Sequence, residues 1–96
     1  MENKTLFIEV NEPIIDAYLK TGTETTDVLV TTCKKLLINT NDIISIETYK
    51  SCYESYPANS LIYVRQHREP IKVMEYLKDL KKALYTINED CLNNCV

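Results

Sequence analysis

Glycine is almost missing from this chain, which contains only Gly22, and histidine occurs once, at His67. With a single glycine no phosphate-cradling glycine loop can be written, and no HExxH pair is present either. A Ser/His or Cys/His nucleophile would have to use His67, which sits among Arg65, Arg68 and Glu69 and reads as a solvent-exposed histidine beside a turn. The cysteines, Cys33, Cys52, Cys91 and Cys95, have no zinc-binding spacing and read as free or partly buried thiols of a reducing compartment, with a disulfide or a metal site, as at Cys91 and Cys95 with their helical spacing, as the alternatives. No apolar run approaches the roughly 18 residues of a membrane-spanning helix. No basic segment leading into an apolar one opens the chain, so no secretion signal is read and a cytoplasmic protein is expected. Neither metal nor cofactor is expected, and the chain is read as not an enzyme.

A strong basic excess is absent too, which argues against a general nucleic-acid binder. Formal net charge is -3, unevenly spread. Residues 1–30 balance to -4, residues 31–60 to zero and residues 61–96 to +1. What is present suits one folded domain over 1–96: 45% hydrophobic and 26% charged residues. A chain this short buries only about 60–65% of its unfolded surface, so an oligomer that covers a second face would add stability.

The stretch from Lys34 to Leu84 organises the rest. TLFIEV, residues 5–10, reads as a first strand with Leu6, Ile8 and Val10 on one face. Asn11-Glu12-Pro13 offers a helix start, with Ile14, Ile15, Tyr18 and Leu19 spaced as an apolar side and Gly22 as a left-handed stop. The alternative over 14–19 is a strand. DVLVTT follows as a strand, with a turn at Lys34-Lys35 into LLIN. Asn39-Thr40-Asn41-Asp42 is a turn whose side chains bond their own backbone. Ile43 to Tyr49 is then a strand with Ile44 and Ile46 assigned to the core.

Ser51 to Ser60, SCYESYPANS, is too long for a tight hairpin and reads as an extended arm or a surface loop. Leu61 to Arg65 returns as a strand, Pro70 marks a turn, and Ile71 and Val73 share a face. Leu77, Leu80, Leu84, Ile87 and Cys91 form an apolar stripe along a C-terminal helix, with Glu75–Lys78 and Asp79–Lys82 as favourable pairs. The expected fold is α+β, a small antiparallel sheet of four or five strands covered by that helix. The helix end, 87–96, is expected to contact another subunit.

TTCKKLLINTNDIISIE, followed by a return strand and PIKVMEYLKDLKKAL, resembles the small FlbD-like proteins of flagellar and swarming motility. The resemblance covers Lys34–Glu47 and Pro70–Leu84. The tyrosine-rich excursion and the N-terminal extension depart from it, as does the lack of small glycine turns. The same segment resembles part of a LytTR DNA-binding domain, without the further strands and basic recognition region such a domain carries. Neither resemblance implies a catalytic residue or a DNA contact here.

The candidate site is a binding face. Tyr49, Lys50, Tyr53, Tyr56, Tyr63, Arg65, His67 and Arg68 all fall in two strands and the excursion between them. If 47–53 pairs with 61–67, Tyr49 and Tyr63 share the outer face near Arg65. Rings interleaved with cations suit protein hot spots, and equally bases or phosphates. The expected function is a small regulatory or inhibitory protein that binds another protein and forms a homo-oligomer, of a size that suits a phage or mobile-element accessory. The alternative is a nucleotide or nucleic-acid binder using the tyrosine–arginine face.

Overall fold

The computed structural model describes residues 6–94, with side chains through Tyr85. Its dominant element is one long antiparallel hairpin. Strand β1 (Phe7–Ile14) pairs with β4 (Thr32–Asn39), and β2 (Ala17–Lys20) pairs with β3 (Thr26–Leu29). The second ladder continues the register of the first, Ile14↔Thr32 being followed by Ala17↔Leu29. At the break between them Asp16 N–H donates to the Leu29 carbonyl at 2.8 Å. The Asp16 carboxylate accepts from the Thr31 N–H and hydroxyl at 2.8 and 2.6 Å. The tip closes where Thr21 N–H meets the Thr25 carbonyl at 3.1 Å.

Within 13–21 the chain is therefore strand at 13–14 and 17–20 and nowhere helix, and Gly22 does not adopt a left-handed conformation. Spacing alone suits either form for Ile14, Ile15, Tyr18 and Leu19; the partner strand decides, because it supplies a ladder on both sides of the break at 15–16. Pro13 is tolerated for a geometric reason. Thr40 N–H donates to the Leu6 carbonyl at 2.9 Å, so even-numbered residues of β1 point their polar groups at β4. Pro13 faces the other way and costs no ladder bond. Lys34 and Lys35 make no turn; they lie within β4, opposite Glu12 and Asn11.

Asn39 caps the turn Thr40–Asp42 as expected, accepting from Asn41 N–H at 2.9 Å. A three-stranded antiparallel sheet follows, in the order β5 (Ile43–Thr48), β6 (Ser60–Val64) and β7 (Ile71–Val73). The register of β5 on β6 shifts between Ile43 and Ser45. That bulge makes Ile44 the extra residue and reverses the alternation on either side of it. Ile43 and Ile46 consequently both pack on the core, while Ile44, assigned to the core from alternation, is 66% exposed.

The core lies between hairpin and sheet: Ile8, Val10 and Ile38 from one, Ile62, Val64 and Val73 from the other. Helix α1 (Leu77–Asn94) adds Leu80, with Leu84 packed beside it. The helix starts at Leu77, where its apolar stripe begins, and not at Glu75 as the expected Glu75–Lys78 pair implied. Glu75 precedes it and bonds to Asn11 instead of pairing with Lys78: Asn11 N–H and Nδ2 donate to its two carboxylate oxygens, each at 2.8 Å. Met74 N–H donates to the Asn11 carbonyl at 2.8 Å, so β7 and this carboxylate together close the outer edge of β1 at Asn11. Ile87, Cys91 and Cys95, and the subunit contact expected of 87–96, lie outside the described side chains.

The α+β class with a C-terminal helix is as expected. Among the described residues the strands number seven and fall into three antiparallel sheets, where one sheet of four or five was expected. No described helix is long and apolar enough to cross a membrane.

The bulge makes a sharp contrast testable. Ile46→Ala should cost about 2 kcal/mol, as a partly buried large-to-small change, and Ile44→Ala less than about 0.5 kcal/mol. Urea midpoints of the two variants check this, and equal losses would place the bulge elsewhere.

Candidate functional site

The eight residues singled out from sequence do not form one site. Register places them. Ser45 lies opposite Tyr63, Glu47 opposite Leu61, and Leu61 opposite Lys72, while Tyr49 N–H donates to the Asn59 carbonyl at 3.0 Å. Since Ser60, Ile62 and Val64 are buried, the alternate residues Asn59, Leu61 and Tyr63 face outward, and their cross-strand partners with them. Tyr49 and Tyr63 thus share the outer face as expected. The pairing is not 47–53 with 61–67, however, and the two rings do not adjoin. They stand about 13 Å apart along the strands, four residues at about 3.3 Å each, with Glu47, Leu61 and Lys72 in a row between them.

Both rings are held. Tyr63 hydroxyl donates to Glu47 Oε1 at 2.7 Å. That bond first, then desolvation and the Glu47 charge, raises the Tyr63 pKa above its ordinary value of 10.0. Lys72 Nζ lies 5.6 Å from the centroid of the Tyr49 ring, within range of a cation–π contact.

Arg65, His67 and Arg68 occupy the exposed turn from β6 to β7, beyond Tyr63 and at the far end of the face from Tyr49. Arg65 N–H donates to the Asp42 carbonyl at 2.8 Å, and Gln66 takes a positive φ of 69°. His67 borders a cavity of about 290 Å³ whose other walls include Leu36, Ile38, Val64 and Ile71. A larger hollow, about 550 Å³, lies between β1 and the start of α1, away from every one of the eight residues.

Tyr53 and Tyr56 leave the face altogether. The excursion 51–59 is a loop laid across the hairpin, not an arm of its own. Tyr56 hydroxyl donates to the Pro13 carbonyl at 3.2 Å, and the Tyr53 ring meets Tyr18 edge-on at 5.9 Å. Ser55 N–H and hydroxyl donate to the two oxygens of Asp27, at 2.9 and 2.6 Å, and Asp27 also accepts from Val28 N–H at 2.8 Å. Val28 and Ala58 are buried here, 2% and 5% exposed. Burial chiefly, and then the Glu12 charge, raises the Tyr56 pKa. Lys50 stands exposed at the start of the loop.

Sequence reasoning missed Leu61 and Lys72 on the face, and Pro13, Tyr18 and Asp27 beneath the loop. Lys72 was legible, since Ile71 and Val73 pointing inward leave it outside. The loop's target was not, because it lies in a segment read as helix. Among the described residues no group of three or more His, Cys, Asp or Glu side chains could hold a metal ion, and Cys33 and Cys52 are exposed thiols. Compared with protein-family models, curated proteins and solved structures, the chain matches none.

Two titrations check these contacts. Hydrogen bonds from Ser55, then from the Ser55 and Val28 amides, hold the Asp27 pKa below its ordinary 3.8. A depressed folded pKa means that the carboxylate's contribution is complete above that value and is lost as pH falls through the lower folded one. Amide exchange at Ser55 and Val28 should therefore accelerate in strong acid, and Asp27→Ala should abolish that dependence. In alkali, Glu47→Gln should bring the Tyr63 ionisation back toward its ordinary value, read from tyrosinate absorbance against a Tyr63→Phe control.

Proposed function

We propose that this protein is a small non-enzymatic regulator or inhibitor that binds another protein through the outer face of β5–β6–β7. One observation carries the reading: two tyrosines stand at the ends of a single exposed face, and each is already fixed by a neighbour, Tyr63 by Glu47 and Tyr49 by Lys72. Rings held before contact lose little freedom on binding. Leu61 between them is apolar and half-buried, flanked across the strands by Glu47 and Lys72, the arrangement of an apolar centre with polar neighbours.

The nucleotide or nucleic-acid reading draws on Arg65, His67 and Arg68, three cationic or titratable side chains on one turn. The tyrosines support it less. The Glu47 carboxylate sits beside Tyr63, where it would repel a phosphate backbone, and Lys72 already approaches the ring of Tyr49.

The test places a photo-crosslinking amino acid at Leu61 in the cells that make the protein. A discrete protein adduct is expected, lost when Tyr49 and Tyr63 are replaced by alanine in a chain whose circular dichroism is unchanged. Each anchor should cost about 2 kcal/mol, roughly 30-fold in affinity. Salt-sensitive binding of a single-stranded oligonucleotide, abolished by Arg65→Glu with Arg68→Glu, would favour the nucleic-acid reading instead.

A further inference from the structure

Met74 and Glu75 close the outer edge of β1 at Asn11 and then leave it. The even-numbered residues of β1 point their polar groups at β4, so the N–H and carbonyl of Phe7 and Glu9 point the other way. Among the described residues no backbone or side-chain partner meets them. Beside these two rungs lies the hollow of about 550 Å³ between β1 and the first turns of α1. Phe7, Ile8, Leu80 and Ala83 give it apolar walls, and Glu75 borders it where the chain lifts away into the helix. Backbone groups that a further strand would bond therefore stand next to an apolar space.

We infer that this slot takes an extended, basic peptide segment of another protein, added as a strand to the edge of β1. Its backbone, its apolar wall and its charge each select part of that guest. Two outward rungs in succession call for a strand, because an extended backbone presents donors and acceptors at the same repeat. The guest residue opposite Ile8 shares the face of Ile8 and enters the hollow toward Leu80, so it is apolar. Its two neighbours fall on the outer face with Phe7 and Glu9. The charge of the lining is unbalanced, Glu9, Glu75 and Asp79 standing against Lys82. Glu75 keeps its charge, since its partners, the backbone N–H and side-chain amide of Asn11, are neutral. A cation opposite Glu9 is therefore favoured, and a second one opposite Phe7 can lie on a ring that is 53% exposed. The recognised pattern is basic–apolar–basic. A second copy of the chain would bring a further set of the same carboxylates to the slot, and a nucleic acid would bring phosphates to them. The inference is independent of the tyrosine face, because neither Tyr49 nor Tyr63 borders the hollow.

The probe is the blocked peptide acetyl-Thr-Lys-Val-Lys-Thr-amide, whose symmetry suits either strand direction, titrated into the full chain and followed by amide NMR. The Phe7 and Glu9 amides should move downfield with a millimolar dissociation constant, while those of Ile8 and Val10, already bonded to β4, move little. The same peptide N-methylated at its lysines and valine keeps every side chain and loses the strand donors, so it should not bind. Replacing both lysines of the probe by glutamate should abolish binding as well. On the protein, Glu9→Lys should weaken the natural probe about fivefold. Ala83→Trp, at an exposed helix position, should fill the hollow and prevent binding in a chain whose circular dichroism is unchanged. Amides of Phe7 and Glu9 that stay unmoved at saturating peptide overturn the inference. So does equal binding of the N-methylated or the glutamate peptide. Protection of the two amides that rises with protein concentration alone overturns it too, since a second copy then takes the edge. None of these results bears on the crosslink at Leu61, so the two surfaces stand or fall separately.

Discussion

The Glu75 carboxylate is the constraint on which the arrangement of hairpin, sheet and helix depends. Strand β7 is three residues long and reaches β1 through one backbone bond, Met74 N–H to the Asn11 carbonyl. Beyond that the chain must turn into α1, and the Asn11 N–H would be left facing nothing. Glu75 meets it with one oxygen and the Asn11 side chain with the other. From beneath, buried Ser60 donates to the Glu75 carbonyl at 2.7 Å, and Asn59 donates to the carbonyls of Val73 and Met74, each at 2.8 Å. One network thus sets the hairpin against the sheet and fixes where the helix begins. A polar network of this kind rigidifies when every member is satisfied, and no buried side-chain oxygen or nitrogen is left unpaired among the described residues.

With that joint in place, the four edges of the long hairpin meet different conditions. The edge of β1 is closed at Asn11 by Met74 and Glu75, and that of β3 by Asp27 with Ser55 over it. The edge of β4 is open but carries two lysines, a common guard against unintended pairing. The edge of β2, with Ala17, Tyr18, Leu19 and Lys20 all exposed, is open among the described residues.

Periodicity made the second half of the chain legible. Ile62 and Val64 with their outward neighbours, Ile71 and Val73 on one side of a short strand, and Leu80 and Leu84 on a helix all lie where alternation or helical spacing puts them. Two things defeated the same reasoning. A bulge is invisible to alternation, so Ile44 and Ile43 exchanged roles. A long hairpin is a non-local pairing, and nothing in Ile14–Lys20 announces that Thr26–Leu29 will lie beside it. Mistaking that segment for a helix also hid the target of the excursion, which is why Tyr53 and Tyr56 read as ligand-binding rings. Tyrosine has an apolar body and a polar tip, so its composition signal is the same whether it packs inside a chain or waits for a partner. Register, not residue type, separates Tyr49 and Tyr63 from the other two.

The excursion then ties the two exposed regions together. It leaves the sheet at Tyr49, whose N–H is bonded to Asn59, and lays Tyr53, Ser55 and Tyr56 on the hairpin before returning at Asn59. Its own residues are mostly irregular, so its order derives from what lies under it. A ribbon that frays gives the loop little to rest on, so loop and ribbon order together. Since Tyr49 stands at the base of that loop, ordering the distal ribbon also orders one end of the outer face. The contacts run without a gap from Tyr18 through Tyr53 to the loop base, and from Asp27 through Ser55 to the same place. In a chain too short for a second core, this is how a change at the tip of an arm can be felt on a sheet it does not touch.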